Sequence, residues 1–472
     1  MHGMTSYEER LRAEAPLLDA YLRTLETDGA PFTIPGHKRN PAFGRVVAGD
    51  VPLHGGLDSV SLSAGTLLEA ERRAADLWGA DVARFSVGGS THGNQALALA
   101  VGRPGDAVVV PRTLHRSLLL GLVLAGLHPV WLPTRVDPAS GLPLGVRVAD
   151  VAQSLGERPE VVAVFVGDPT YVGTVGDLAG VADVVHAAGL PLLVDAAWGG
   201  HFGFHPALPP HALQAGADAF VTSAHKMLTG YSQAALVLAR TERLDPERLA
   251  LAFEAGNTTS PAGALLASMD AARALLELDG KALLDDVVAL VASVRDRLGE
   301  VPGLTVLDQV EPTKLVLGLA GTGADGVAVG RDLRSAGVEV EMADRDWLVP
   351  IVSLADTPEA VDRLVAALLV SLRRHAGRPR DVVVSASWAV RPETVLSPRE
   401  AFFAPATTVP TADAVGRVSA ELVAPYPPGV PVLAPGERVT AEALAGLQAA
   451  AAAGTRIAYA ADPTIATLRV VA

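Results

Sequence analysis

The residues of this chain best able to do chemistry lie in Ser223-Ala224-His225-Lys226, just after the apolar run Ala219-Phe220-Val221. A lysine at a strand end, beside a hydroxyl and an imidazole, is placed for Schiff-base chemistry. Asp195 closes a second apolar run, Leu190-Pro191-Leu192-Leu193-Val194. An aspartate at the end of a neighbouring strand can hold a pyridinium nitrogen and keep the ring an electron sink for a carbanion at Cα. Together the two point to pyridoxal 5'-phosphate (PLP). Singly, each has a plainer reading: a solvated surface lysine, and a strand-end aspartate capping the next turn.

A phosphate needs its own cradle. Val87-Gly88-Gly89-Ser90-Thr91-His92-Gly93-Asn94, ahead of a helical run over 95–101, has that composition. Glycines admit an anion close to the backbone, a helix N-terminus offers free N–H groups, and the Ser90 and Thr91 hydroxyls add donors. An ordinary Gly-rich turn with a Ser/Thr cap accounts for the segment equally well. The lysine of a P-loop is missing, which argues against a nucleoside triphosphate. Ser223 and His225 would also reach the phosphate, and His225 could shuttle protons. His115, in Leu114-His115-Arg116-Ser117, follows a strand-like run over 107–110, where a flat side chain could stack on the pyridine ring; a lone histidine is more often structural.

These residues need a frame. The chain has 472 residues, 49% apolar and 19% charged, enough for two or three domains around a large core. Its net charge of −14 argues against a general nucleic-acid binder and suits a cationic substrate. The absence of cysteine excludes disulfides, thiolate metal sites and cysteine nucleophiles, and no metal site is expected. The N-terminus lacks the pattern of a signal peptide, and every apolar run falls short of the ~18 residues of a membrane span. A cytoplasmic enzyme is the expectation.

Apolar runs over 107–110, 130–132, 161–166, 191–194, 219–221 and 234–238 read as buried strands, with helical patterns such as 178–188 between most of them. That alternation predicts a mainly parallel sheet covered by helices on both faces, its last strand antiparallel at an edge. A helix over 7–28 reads either as an arm on a partner subunit or as a surface helix on its own domain. A long helix over 264–298, broken near Gly280, leads to a smaller unit with strands over 313–319 and 337–342 and a helix over 358–374. The polar stretch from Arg374 to Arg380 reads as a linker to a third unit.

Taken together, these segments resemble the bacterial fold-type-I PLP decarboxylases of ornithine, lysine and arginine. The resemblance spans nearly the whole chain. It is carried by Pro35-Gly36-His37-Lys38, Gly89-Ser90-Thr91-x-Gly93-Asn94, His115-Arg116-Ser117, Asp168-Pro169-Thr170-Tyr171-Val172-Gly173, the stretch from Asp195 to Phe202, Ser223-Ala224-His225-Lys226 and Thr259-Ser260-Pro261. Ser397-Pro398-Arg399-Glu400-Ala401-Phe402, Gly416-Arg417-Val418-Ser419-Ala420-Glu421 and Tyr426-Pro427-Pro428-Gly429-Val430-Pro431 continue it.

The resemblance implies an aspartate aminotransferase-like α/β fold with a mostly parallel seven-stranded sheet, a small α+β domain and a C-terminal α+β domain. The corresponding layout is an arm over 1–28, a PLP domain over 29–275, a small domain over 276–380 and a C-terminal domain over 381–472. It implies that Ser90, Thr91 and Ser223 bind phosphate, His115 stacks on the ring, Asp195 holds the ring nitrogen and Ala197 packs under it. Trp198 joins the cofactor shell, His225 neighbours the Schiff-base residue Lys226, and Thr259 and Ser260 reach a partner's cofactor in a homodimer. Glu341 matches an acidic position near the substrate side chain, and Asp344 is a second candidate there. The expected activity is decarboxylation of a basic amino acid to its amine and carbon dioxide, arginine favoured over lysine or ornithine; transamination or oxidation of a basic amino acid is the alternative. Two features depart from the family: Ala196-Ala197-Trp198 replaces the Glu-Ala-His of many short members, and the loops Ser61-Leu62-Ser63-Ala64-Gly65 and Asn257-Thr258-Thr259-Ser260 differ, which opens the substrate question.

Overall fold

The structure is a computed structural model that describes residues 6–27, 32–53, 65–382, 390–426, 430–452 and 454–472. Most of the loop over 61–65 and positions 427–429 of the Tyr-Pro-Pro-Gly segment lie outside the described residues. The chain divides into two compact units, one of residues 1–100 and 191–284, the other of residues 101–190 and 285–472. No helix among the described residues is long and apolar enough to cross a membrane.

Seven strands build the main sheet: β1 (Val82–Ser86), β2 (Ala107–Pro111), β3 (His128–Leu132), β4 (Val161–Gly167), β5 (Leu192–Asp195), β6 (Ala219–Ser223) and β7 (Ala235–Ala239). Their order is β1-β7-β6-β5-β4-β2-β3. The pairs β2/β3, β2/β4 and β5/β6 are parallel, as expected, and β7 is antiparallel to both β6 and β1. The continuous apolar runs of β2, β6 and β7 are buried at every position, the signature of strands covered on both faces. The antiparallel strand is therefore not an edge. β1 flanks it, and β1 escapes a search for apolar runs because Arg84 and Ser86 interrupt it.

In the first unit the helix Gly89–Ala100 rests against β6 and β7. A Cβ at Gly93 would lie 2.6 Å from Val221 Cγ1 and 3.0 Å from Val237 Cγ2, so only glycine lets the helix come this close. The N-terminal segment forms two helices, Tyr7–Glu14 and Pro16–Glu26, rather than one over 7–28. Pro16 lacks an N–H and pushes Ala15 out of the helical region, to φ −115° and ψ 82°. Asp270 Oδ2 then accepts the Leu17 N–H at 2.8 Å, and buried Arg273 donates to the Glu14 carbonyl and, at 2.7 Å, to Asp270 Oδ1. The segment is thus held by its own chain. The helix carrying Asp270 and Arg273 runs unbroken through Gly280, over Gly263–Gly299.

In the second unit a four-stranded antiparallel sheet follows the order β10-β11-β9-β8, from β8 (Thr305–Val306), β9 (Leu317–Gly318), β10 (Met342–Ala343) and β11 (Trp347–Val349). These strands are shorter than the runs over 313–319 and 337–342. Gly337 turns at φ +73° and delays the second strand to Met342. The helix Pro358–His375 covers the cluster around Leu317, Leu348 and Leu368. Two strand pairs close the chain, β12 (Ala406–Pro410) with β15 (Thr467–Val471) and β13 (Ala424–Tyr426) with β14 (Arg456–Ala458). Buried Arg112, just past β2, fastens this part: it pairs with Glu437, donates to the Val432 carbonyl at 2.9 Å, and lies 4.9 Å from the Trp131 ring centroid.

Candidate active site

The glycine-rich segment becomes the start of a helix rather than a turn ahead of one. The helix begins at Gly89, inside the motif and not at 95, because Gly89 takes φ +70° and swings the chain directly out of β1. Ser90 and Thr91 thus sit in the first turn, among N–H groups with no intrahelical acceptor. His92 fastens the motif from behind. Its Nε2 donates to the Phe253 carbonyl at 2.9 Å, and its Nδ1 lies 2.8 Å from Ser86 Oγ. Burial holds this imidazole below the usual histidine range, so it serves as a neutral structural link.

Asp195 lies at the end of β5, opposite Val221 of the parallel strand β6. Parallel pairing places Asp195 and the turn from Ser223 to Lys226 at the same carboxyl edge, where open α/β sheets bind ligands. The edge is laced together by Ala196 N to Val221 O at 2.9 Å and Ser223 N to Ala197 O at 3.3 Å. Both Asp195 oxygens are held: Asn94 Nδ2 donates to Oδ2 at 2.7 Å and Ala197 N to Oδ1 at 3.1 Å. Asn94, on the helix Gly89–Ala100, thereby ties the glycine-rich motif to Asp195. Its place in the Gly93-Asn94 pair was the only sequence signal for it.

The turn after β6 arranges the remaining candidates of this unit. Ser223 is fully buried, and its Oγ has no hydrogen-bond partner among the described residues. A buried hydroxyl left unmet is costly unless something fills the need. His225 Nδ1 donates to the Ala234 carbonyl at 2.9 Å, which fixes the ring. Lys226 Nζ lies 4.3 Å from the centroid of the Trp198 ring. Trp198 thus lies against the Lys226 ammonium, and Ala197 beside it is buried. Thr259 and Ser260 lie exposed in the loop after the helix Pro246–Gly256. Asp195, Ala197, Trp198, Ser223, His225 and Lys226 are brought to one sheet edge, Ser90 and Thr91 to the helix tied to it. They could hold a phosphorylated pyridine ring and bind its carbonyl carbon covalently.

The other candidates belong to the second unit. His115 caps the helix Arg116–Ala125, its Nδ1 accepting the Ser117 N–H at 3.2 Å and lying 2.8 Å from Ser117 Oγ. The next residue, Arg116, stacks its guanidinium 4.9 Å from the Tyr459 ring centroid. Asp344 is committed to its own turn: its Oδ1 accepts the N–H groups of Asp346 at 2.8 Å and Trp347 at 2.6 Å, and burial raises its carboxyl above the usual range. Glu341 is exposed, and its Oε1 accepts the Tyr171 hydroxyl at 3.4 Å. Tyr171 carried no role in the sequence reading, since no spacing rule links 171 and 341.

The Orn/Lys/Arg decarboxylase major domain matches residues 15–318, and the C-terminal domain of the same family matches residues 382–457. An arginine decarboxylase of Halalkalibacterium halodurans is 34% identical, covering 97% of this chain and 98% of its own. An arginine decarboxylase of Bacillus subtilis is 31% identical with the same coverage, 97% and 98%. Among solved structures, the lysine decarboxylase of Francisella novicida superposes with a TM-score of 0.83 at 19% identity, over 97% of this chain and 81% of that one, which supports the fold. The family match over most of the chain and the near-full-length similarity lead to one conclusion: this chain belongs to the Orn/Lys/Arg decarboxylase family.

Proposed function

We propose that this chain decarboxylates arginine, using PLP bound through Lys226. The observation that carries the proposal is Asp195, held on both oxygens at the same sheet edge as the Ser223–Lys226 turn. The residues fit the cofactor. The unmet Ser223 hydroxyl and the helix start at Ser90 and Thr91 suit its phosphate, and the clamped carboxylate suits its ring nitrogen. When bound, PLP supplies the electron sink for loss of carbon dioxide from Cα.

The protein's own groups have distinct tasks. Asp195 keeps a proton on the ring nitrogen, and Asn94 and Ala197 stop the carboxylate from turning away. Lys226 Nζ would hold the cofactor through its carbonyl carbon and, as an acid, would supply the proton that Cα takes up in place of the lost carboxylate. The Trp198 ring face supports Nζ between these tasks. Of the two acidic candidates for the distal guanidinium, Glu341 is the one left, since Asp344 is taken up by backbone N–H groups. Exposed Thr259 and Ser260 are left for a partner subunit in a homodimer.

The test is carbon dioxide release and product mass for purified, PLP-loaded protein given arginine, lysine and ornithine in parallel. Stoichiometric amine and carbon dioxide from arginine are expected, with no turnover in Lys226→Ala. An active Lys226→Ala enzyme, or formation of a keto acid or hydrogen peroxide, refutes the proposal.

A further inference from the structure

Gln233, on the short connection between Lys226 and β7, holds its backbone at φ +77°. Residues with a Cβ seldom adopt this left-handed conformation, and among them it favours asparagine, aspartate and histidine rather than glutamine. Glycine would take it without strain. The neighbours hold the strained residue in place. Gly230 N donates to the Ala224 carbonyl at 2.9 Å, and a Cβ on Gly230 would lie 2.9 Å from Ala224 Cβ, so the connection is pressed onto the turn that carries Lys226. Tyr231 N donates to Ser268 Oγ at 3.0 Å, and Ala234 N donates to the Tyr231 carbonyl at 2.9 Å. The Gln233 side chain itself is exposed. Packing therefore does not explain why a glutamine stands here, and strained residues of this kind cluster where ligands are held.

Gln233 stands where the two halves of the candidate phosphate cradle meet. On one side its backbone abuts the start of the helix Gly89–Ala100: a Cβ on Gly89 would lie 3.7 Å from the Gln233 carbonyl oxygen and 4.0 Å from its Cα. Ser90 and Thr91 follow Gly89 directly. On the other side, the carbonyl of the next residue, Ala234, accepts the Ala224 N–H at 2.9 Å and the His225 Nδ1–H at 2.9 Å. Ser223, whose fully buried Oγ has no hydrogen-bond partner among the described residues, pairs with Ala235, two residues beyond Gln233. A helix start with free N–H groups, an unmet buried hydroxyl and an exposed amide thus belong to one neighbourhood of the first unit.

We infer that Gln233 is a further cofactor-binding residue, whose side-chain amide donates to the phosphate of PLP and completes the cradle. This rests on the reading that Ser90, Thr91 and Ser223 take that phosphate. A phosphate dianion is rich in acceptors, and a glutamine amide brings two N–H donors. A glycine at 233 would relax the backbone and forfeit those donors. The strain is thus set against a hydrogen bond made only when the phosphate is bound, so the apo and cofactor-bound proteins respond differently to its removal.

The experiment compares wild type with Gln233→Gly, Gln233→Asn and Gln233→Glu in three readouts. These are thermal melting of the apo protein, PLP titration followed by absorbance, and the same titration with pyridoxal, which keeps the ring and carbonyl carbon but has no phosphate. Gln233→Gly should raise the apo Tm by about 1–2 °C as the strain is released. The same variant should bind PLP about 10- to 100-fold more weakly. Gln233→Asn keeps an amide and should lose less. Gln233→Glu is isosteric but sets a like charge against the phosphate, and should bind PLP more weakly than the glycine variant does. Pyridoxal affinity should stay within about threefold of wild type in all three variants. Unchanged PLP affinity in Gln233→Gly, or equal losses for PLP and pyridoxal, overturns the inference. A glycine variant that melts lower without cofactor also overturns it, because Gln233 would then be structural. A wild type that takes up no PLP overturns the phosphate reading beneath it instead.

Discussion

Replacing Ser223 by alanine should move the apo and cofactor-bound proteins in opposite directions. The Ser223 hydroxyl is fully buried and has no partner among the described residues. An unmet buried hydroxyl costs about 1–3 kcal/mol, so removing it should stabilise the apo protein by about 1 kcal/mol, a rise of about 1–2 °C in Tm for a chain of this size. If the hydroxyl serves a phosphate, its loss removes a charge-assisted hydrogen bond of about 1.5–3 kcal/mol, and PLP should bind about 10- to 100-fold more weakly. Thr222 provides the control. Its Oγ1 is also buried and has no hydrogen-bond partner among the described residues, but successive strand residues face opposite sides of the sheet. Thr222→Val should be neutral or stabilising in the apo protein and leave PLP affinity unchanged. The assays are thermal melting of apo protein and PLP titration followed by absorbance. A Ser223→Ala protein that melts lower without cofactor and binds PLP as wild type does would refute the reasoning.

Two further outcomes follow from close packing and from a buried carboxyl. Gly93→Ala forces a Cβ to within 2.6 Å of Val221, so urea unfolding should show a loss of about 1–3 kcal/mol, with lower PLP occupancy because the cradle helix must shift off β6; an unchanged midpoint would mean that the helix has room. Asp168 is buried, with its Oδ1 accepting the Gly176 N–H at 2.7 Å, and burial pushes its carboxyl up to about 7. The folded state therefore holds this proton more tightly than the unfolded chain does, so its contribution is fully present below about pH 4 and is lost as pH rises to about 7. Asp168→Asn keeps an oxygen for Gly176 and should gain on the order of 2–4 kcal/mol over wild type at pH 8, with little or no gain at pH 4. Urea midpoints across that range check it, and a gain independent of pH would contradict the assignment.

The strands and the reactive residues were legible because their signals are local. β2 and β7 are unbroken apolar runs and β6 opens with one, and burial on both faces is what such runs require. β1 was hidden by Arg84 and Ser86, and the break at Ala15–Pro16 was overlooked within an otherwise regular apolar pattern. The glycine-rich motif was visible by composition, but its place inside the helix depended on the positive φ of Gly89, a conformation that composition permits without specifying.

The sequence by itself determined which side chains are available for Schiff-base chemistry: Lys226 beside Ser223 and His225 after one strand, Asp195 after another, and a helix start rich in glycine and hydroxyls. Only the tertiary structure decided what holds them. Asn94 reaches Asp195 across a sequence separation of 101 residues, and Tyr171 reaches Glu341 across 170. Trp198 lies against Lys226, while Asp344 turns away to cap its own backbone. The physical reason is one of range. Strand and helix patterns arise from neighbours a few residues apart, whereas the orientation of a carboxylate or an ammonium is set by whichever distant donors and rings the packed core brings within about 3–6 Å.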